Sequence, residues 1–209
     1  MTCHAFLQAF CKVVPLTWIA TTCLNHVPRL KSSIAFLSRW NLQGDLTVTF
    51  DSQEQRRIMG LFATGVTVVS TQHDQQTWGM TANAITSLSL DPPLILVAVQ
   101  RESQTHEKLK EAGCFAVNIL SVDQEEISNR FAFKGPKDFS DLDFTTDVTG
   151  APVLSDTLGY VDCRLKEILP GGDHDIFIGE IVAGQSTEGQ PLLYYQGKYT
   201  QLVLPADDA

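Results

Sequence analysis

Between Met80 and Leu90 the chain alternates with a period of two. Met80, Ala82, Ala84, Leu88 and Leu90 are apolar at the even positions, with Thr86 the exception. Thr81, Asn83, Ser87 and Ser89 are polar at the odd positions, with Ile85 the exception. Only an extended strand places successive side chains on opposite faces, so this segment demands a sheet with one face turned into a core. The other face carries no charge, whereas solvated strand faces ordinarily carry Lys, Glu or Arg. Hydroxyls and an amide suit a surface that closes over a polar ligand, because each can hydrogen-bond without a charge to desolvate. The same pattern describes an ordinary hydroxyl-rich strand, and parity alone does not separate the two.

The flanking sequence extends the β reading. Asp91-Pro92-Pro93 ends the strand, since proline has no N–H for a ladder. Val66 to Thr71, Leu94 to Val99 and Phe115 to Leu120 predict further strands, and His73 to Gln76 a polar turn. Tyr160 to Ile168 alternates, with Val161, Cys163 and Leu165 on one face, and pairs with His174 to Val182 as a hairpin about Pro170-Gly171-Gly172-Asp173. A last strand covers about Leu192 to Leu204. Three short helices are predicted. Asp51 or Ser52 caps the first, Glu54 or Gln55 completes its capping box, and Ile58, Leu61 and Phe62 give it an apolar stripe to about Ala63. The second starts at Ser103 or Thr105 and stops at Gly113; the third opens with the capping box Ser121–Gln124 and runs to about Ala132. Residues 133–149, acidic and glycine-punctuated, predict a loop. The sum is a mainly β protein, an antiparallel barrel with a few short helices, not a doubly wound parallel sheet. No GxGxxG follows a strand, so a nicotinamide nucleotide would not be held in a Rossmann crevice.

Charge and cysteine usage exclude several functions. A net charge of −9 argues against nucleic acid, whose phosphates need clustered Lys and Arg. Five cysteines (Cys3, Cys11, Cys23, Cys114, Cys163) form no CxxC pair, so neither a disulfide framework nor a metal site is expected, and the location is read as cytoplasmic. Cys114 and Cys163 read as small buried strand residues. Residues 1–44 hold four Lys or Arg and no acid, and Val13 to Ala20 is too short an apolar run for a membrane span. They are read as a non-core extension, disordered or upstream of the true start, with residues 45–209 as the domain.

The collinear set Ala63-Thr64-Gly65-Val66-Thr67-Val68-Val69, Gly79-Met80-Thr81-Ala82-Asn83-Ala84 through Ser87-Leu88-Ser89-Leu90-Asp91-Pro92-Pro93-Leu94, Phe115-Ala116-Val117-Asn118-Ile119-Leu120, Arg130-Phe131-Ala132, Gly150-Ala151-Pro152, Gly172-Asp173-His174 and Ile178-Gly179-Glu180 resembles the flavin reductase-like family over about residues 50–202. The resemblance implies a Greek-key, FMN-binding split β-barrel that is a homodimer with its flavin site at the two-fold interface. It also implies an NAD(P)H:flavin oxidoreductase. Hydride would pass from NADH or NADPH to FMN, with FAD possible, and reduced flavin would go to an oxygenase partner. The alternative is an FMN-binding electron-transfer or flavin-carrier protein without free-flavin reductase activity.

Because the cofactors carry the chemistry, such a site consists of binding residues. The resemblance places Thr81, Ala82, Asn83 and Ala84 along the isoalloxazine edge. Ser87 and Ser89, further along the same expected face, would reach the ribityl chain or phosphate, against cross-strand hydroxyl pairing as the plain alternative. Ser103 and Thr105 stand at a helix start, where free N–H groups and the dipole favour a phosphate; simple N-capping is compatible with this. His106 and Lys108 follow and could add charge. Phe131, after Arg130, is a candidate flavin contact or a core residue. His174 is the candidate catalytic residue, orienting the nicotinamide carboxamide or steadying reduced flavin, or else a turn histidine paired with an Asp.

Overall fold

The computed structural model describes residues 50–203 apart from 136 and 138. The extension of residues 1–44 lies outside the described residues. Helix α1 (Ser52–Met59) is followed by β1 (Thr64–Gly65), β2 (Thr67–His73), β3 (Gln76–Ala82), β4 (Ile85–Leu90) and β5 (Pro93–Gln100). Then come α2 (Gln104–Ala112), β6 (Cys114–Ile119), α3 (Glu125–Ala132), β7 (Phe144–Thr146), β8 (Pro152–Leu154), β9 (Gly159–Gly171), β10 (His174–Ser186), β11 (Leu193–Tyr195) and β12 (Lys198–Thr200). Seven strands form one sheet in the order β3-β2-β6-β9-β10-β5-β4, all neighbours antiparallel. The pair β7-β8 and the three strands β1-β11-β12 form small separate sheets.

The strands at the two ends of that order, β3 and β4, are consecutive in sequence and joined only by Asn83-Ala84. Two residues cannot cross a flat seven-stranded sheet, so the sheet curls until its edges meet at this corner. Val69, Ala82, Val97, Val99, Phe115, Val117, Cys163 and Phe177 fill the inside, with Leu109 of α2 at one end and Met80 and Ile85 from the two edges packed against them. No ladder joins β3 to β4 among the described residues. Gly179 exists for this packing: a Cβ there would stand 2.5 Å from the Phe115 ring. A second cluster, Val66, Val68, Leu120, Phe131, Phe139, Leu154 and Leu192, lies on the other side of β2 under α3.

Several expectations are corrected. The period-2 segment is two strands, not one. The Asn83-Ala84 corner exchanges the buried face, so Met80 and Ala82 point inward before it and Ile85 after it. Leu88 and Leu90, expected in the core, are 45% and 79% exposed, because β4 is an edge strand with a bulge between Ser87 and Ser89. That bulge pairs Ser87 with inward-facing Ile95 but Ser89 with Leu94, so the two serines lie on opposite faces, not one. The first helix stops at Met59, and Ile58, Leu61 and Phe62 are exposed rather than buried. The turn before β3 is tighter than expected, with Asp74 and Gln75 both at positive φ as a two-residue hairpin demands. In the second capping box the Gln124 side chain does accept from the Ser121 N–H at 3.0 Å, yet α3 begins only at Glu125 and Ser121 bridges to Pro191. The 133–149 loop contains β7, and the last strand is the hairpin β11–β12. Asp51 and Ser103 cap their helices as expected, and Gly113 ends α2 in the left-handed region at φ 66°.

Candidate functional site

The site forms where β3, the end of β5 and the starts and ends of two helices converge. Ser103 caps α2: its hydroxyl oxygen accepts from the Thr105 N–H at 3.3 Å. Thr105 is buried and donates its hydroxyl to the Gly79 carbonyl at 3.1 Å, pinning the helix start to β3. Gly79 in turn lets α3 approach, since a Cβ there would come within 2.8 Å of the Phe131 ring. Phe131 is buried and meets Phe139 edge-on at 4.8 Å. Arg130 holds Asp141 through two bonds of 2.6 and 2.9 Å, closing the following loop over the helix end.

These elements enclose a cleft of about 430 Å³. Trp78, Met80 and Thr81 form one wall, Gln100 with Glu102 to Thr105 a second, and Phe131 to Gly135 with Lys137 a third. The Lys137 Nζ and the Trp78 Nε1 are buried and find no hydrogen-bond partner among the described residues. Burial pushes the Lys137 ammonium down from its ordinary value, the response of a cation lacking a counter-charge. Both orphaned groups are donors, and α2 points its N-terminus into the same cleft. Unpaired donors, an ammonium and a helix N-terminus together form an anion site. Phe131 and Phe133 give the cleft aromatic surface. A flavin with its phosphate fits this donor set.

The structure brings together Thr81, Ser103, Thr105 and Phe131. The Thr81 hydroxyl is committed to the Ser128 carbonyl at 2.6 Å, so its backbone and methyl face remain for a ligand. Asn83 and Ala84 line a different hollow of about 740 Å³, beside Met59, Phe62, Leu96 and Tyr194, where Asn83 Nδ2 donates to Thr64 Oγ1 at 3.2 Å. Ala82 is buried in the core, and Ser87 and Ser89 sit on edge strand β4 away from both hollows. His174 opens β10 opposite Gln100, a cleft residue, with Nδ1 2.7 Å from Asp173 Oδ1. Lys108 stands 5.6 Å from the centre of the Trp78 ring. Lys137 and Trp78 were not legible as site residues. The available signal was the pair Lys134 and Lys137 in an otherwise acidic, glycine-containing stretch just after Arg130-Phe131. Cys163 is buried, its thiol pushed up to about 12 by desolvation and then Asp162, which fits a packing role. Among the described residues no cluster could hold a metal ion, and no helix is long and apolar enough to cross a membrane.

A curled antiparallel sheet with a donor-lined cleft at a helix start, and no parallel strand pair among the described residues, separates this fold from the Rossmann class. The chain belongs to the family described as flavin reductase like domain, which matches residues 59–203. It is 39% identical over 153 residues to the reductase component of a 4-nitrophenol 4-monooxygenase/4-nitrocatechol 2-monooxygenase of Rhodococcus opacus, covering 73% of this chain and 82% of that protein. Among solved structures it resembles a flavin reductase in its native state, with 41% identity and a TM-score of 0.69 over 74% of this chain and 100% of that one. It also resembles an NADH:FAD oxidoreductase of Streptomyces globisporus in complex with NAD and FAD fragments, with 34% identity, a TM-score of 0.70 and coverage of 76% and 95%.

Proposed function

We propose that this chain is an NADH-dependent flavin reductase that supplies reduced flavin to a monooxygenase. FMN is the first candidate, and FAD is accommodated in the same reading. The observation that carries it is the cleft in which Lys137 Nζ and Trp78 Nε1 lack acceptors beside the start of α2. The flavin, when bound, supplies the hydride acceptor. Lys137, Ser103 and the N-terminal end of α2 would hold its phosphate, and Thr81 and Phe131 would border its ring system. His174, at the hairpin tip, would orient the nicotinamide. Phe131 and Phe133 would give the bound rings apolar surface, and the protein would need no proton shuttle for hydride transfer.

The same reading includes a split barrel, open along the β3–β4 seam, and a homodimer. Exposed apolar residues gather around the second hollow: Phe62 is 70% and Met59 57% exposed. A symmetric second copy would cover them and reach Asn83 and Ala84, joining the two groups of expected flavin residues that one chain keeps apart. Residues 1–44 are an extension to the catalytic domain, and the unpaired Cys114 and Cys163 suit a cytoplasmic setting.

The test is steady-state turnover of purified protein with FMN and NADH, followed by nicotinamide absorbance. Oxidation is expected, with a rate that rises with free FMN if flavin is a substrate. A protein that binds FMN yet oxidises neither NADH nor NADPH would leave only a flavin-carrier role.

A further inference from the structure

His106 is a buried histidine whose side chain is 4% exposed, and both its ring nitrogens face carboxylates. Nε2 lies 2.8 Å from Asp175 Oδ2 and Nδ1 lies 3.1 Å from Glu107 Oε1. Ionised carboxylates only accept, so only a doubly protonated ring donates to both. Phe177 meets the ring edge-on at 5.2 Å. The other oxygen of Asp175 takes Nε and Nη2 of Arg101 at 2.9 and 2.7 Å, and Glu107 is served by Lys110 at 3.2 Å. Asp175, Glu107, Arg101 and Lys110 are the charged groups within ion-pair reach of this network.

The two elements that His106 joins are held unequally. Helix α2 is anchored without it, by Leu109 in the core, by Thr105 on the Gly79 carbonyl and by the Ser103 cap. The tip of the β9–β10 hairpin has less. Its backbone is laddered to β5 from His174 opposite Gln100 onward and Arg101 N–H donates to the Asp173 carbonyl at 3.1 Å, but its side-chain tie to α2 runs through the Asp175 carboxylate. Removing His106 therefore frees the Asp175 end of the hairpin tip from α2, while the β5 ladder and the helix anchors stay in place.

We infer that His106 is a positioning residue for the nicotinamide nucleotide. It fixes the hairpin tip that carries His174 against the α2 end of the cleft. The inference rests on the flavin reductase reading of that cleft. Its weight falls on the nucleotide and not on the flavin, because the flavin-phosphate end is built on the independently anchored helix.

The test uses the full chain with His106→Leu and His106→Gln. In the Leu variant KM for NADH is expected to rise about tenfold, the worth of one charge-assisted bond, with kcat and the FMN dissociation constant within about twofold. The Gln variant retains a neutral donor towards Asp175 and is expected to recover part of that loss. Nitrogen-15 NMR of the ring gives a readout free of turnover: Asp175→Asn displaces the Nε2 signal. An unchanged KM in the Leu variant overturns the inference. So does a joint loss of kcat, FMN affinity and thermal midpoint with no recovery in Gln, which would mark a packing role. If the wild type oxidises no NADH, the functional reading fails. An Nε2 signal unmoved by Asp175→Asn shows that the tie itself is absent.

Discussion

Lys137→Met separates what the cleft costs the fold from what it gives the ligand. In the ligand-free protein the Lys137 ammonium is buried without an acceptor among the described residues. An unsatisfied buried donor costs about 1–3 kcal/mol. Its position 5.8 Å from the centre of the Phe133 ring returns about 0.5–1 kcal/mol of cation–π attraction. Methionine keeps the length and packing of the stem without the charge, so ligand-free Lys137→Met is expected to be more stable by about 1 kcal/mol. With FMN bound the sign reverses. The ammonium donates to the phosphate, and a hydrogen bond to a charged group is worth about 1.5–3 kcal/mol, or about 10- to 150-fold in Kd. Urea unfolding of the ligand-free protein reads the first quantity, and fluorescence titration with FMN reads the second. Riboflavin, which lacks the phosphate, is the control, and its affinity should stay within about twofold. A variant that loses stability without ligand, or weakens FMN and riboflavin alike, would refute the reasoning.

Four further outcomes are expected. Gly79→Ala would place a Cβ 2.8 and 2.9 Å from Phe131 ring atoms and 3.0 Å from Phe139, and should cost about 1–3 kcal/mol by denaturant unfolding; a loss under about 0.5 kcal/mol would mean the rings move aside freely. The Arg101 guanidinium beside Asp175 holds its carboxyl below the ordinary carboxylate range. This tie therefore stabilises the hairpin above the ordinary value and is lost as pH falls through the lowered one, so Asp175→Asn should flatten the acid-side decline in thermal midpoint, and an unchanged decline counts against it. Phe62→Ser should shift sedimentation from dimer towards monomer, whereas a wild-type monomer that holds FMN would contradict the proposed interface. Deleting residues 1–44 should leave flavin binding, turnover and thermal midpoint unchanged; a truncated chain that fails to fold shows instead that the segment packs on the domain.

The sequence made the strands legible wherever burial was one-sided and continuous. Cys163 and Leu165 share the inner face of β9 as their spacing predicts, and Gly113 stops α2 because only a residue tolerant of positive φ fits there. Parity failed at Asn83-Ala84 for a geometric reason. A two-residue corner leaves the period-2 pattern almost intact on paper while exchanging which face is buried, and the bulge at Leu88 exchanges it again. Thr81 and Phe131, named from the family motifs, and Ser103 and Thr105, named from the helix start, fall in one cleft, whereas His106 entered only as a charge beside that helix start and Lys137 not at all. Both gaps have the same origin. The meaning of a charged side chain lies in its partners, and these are set by tertiary structure: Asp175 reaches His106 from 69 residues away, while Lys137 matters because no partner reaches it among the described residues. A satisfied buried charge reads as scaffold and an unsatisfied one as a site waiting for its ligand, because only the second is stabilised when an anion arrives.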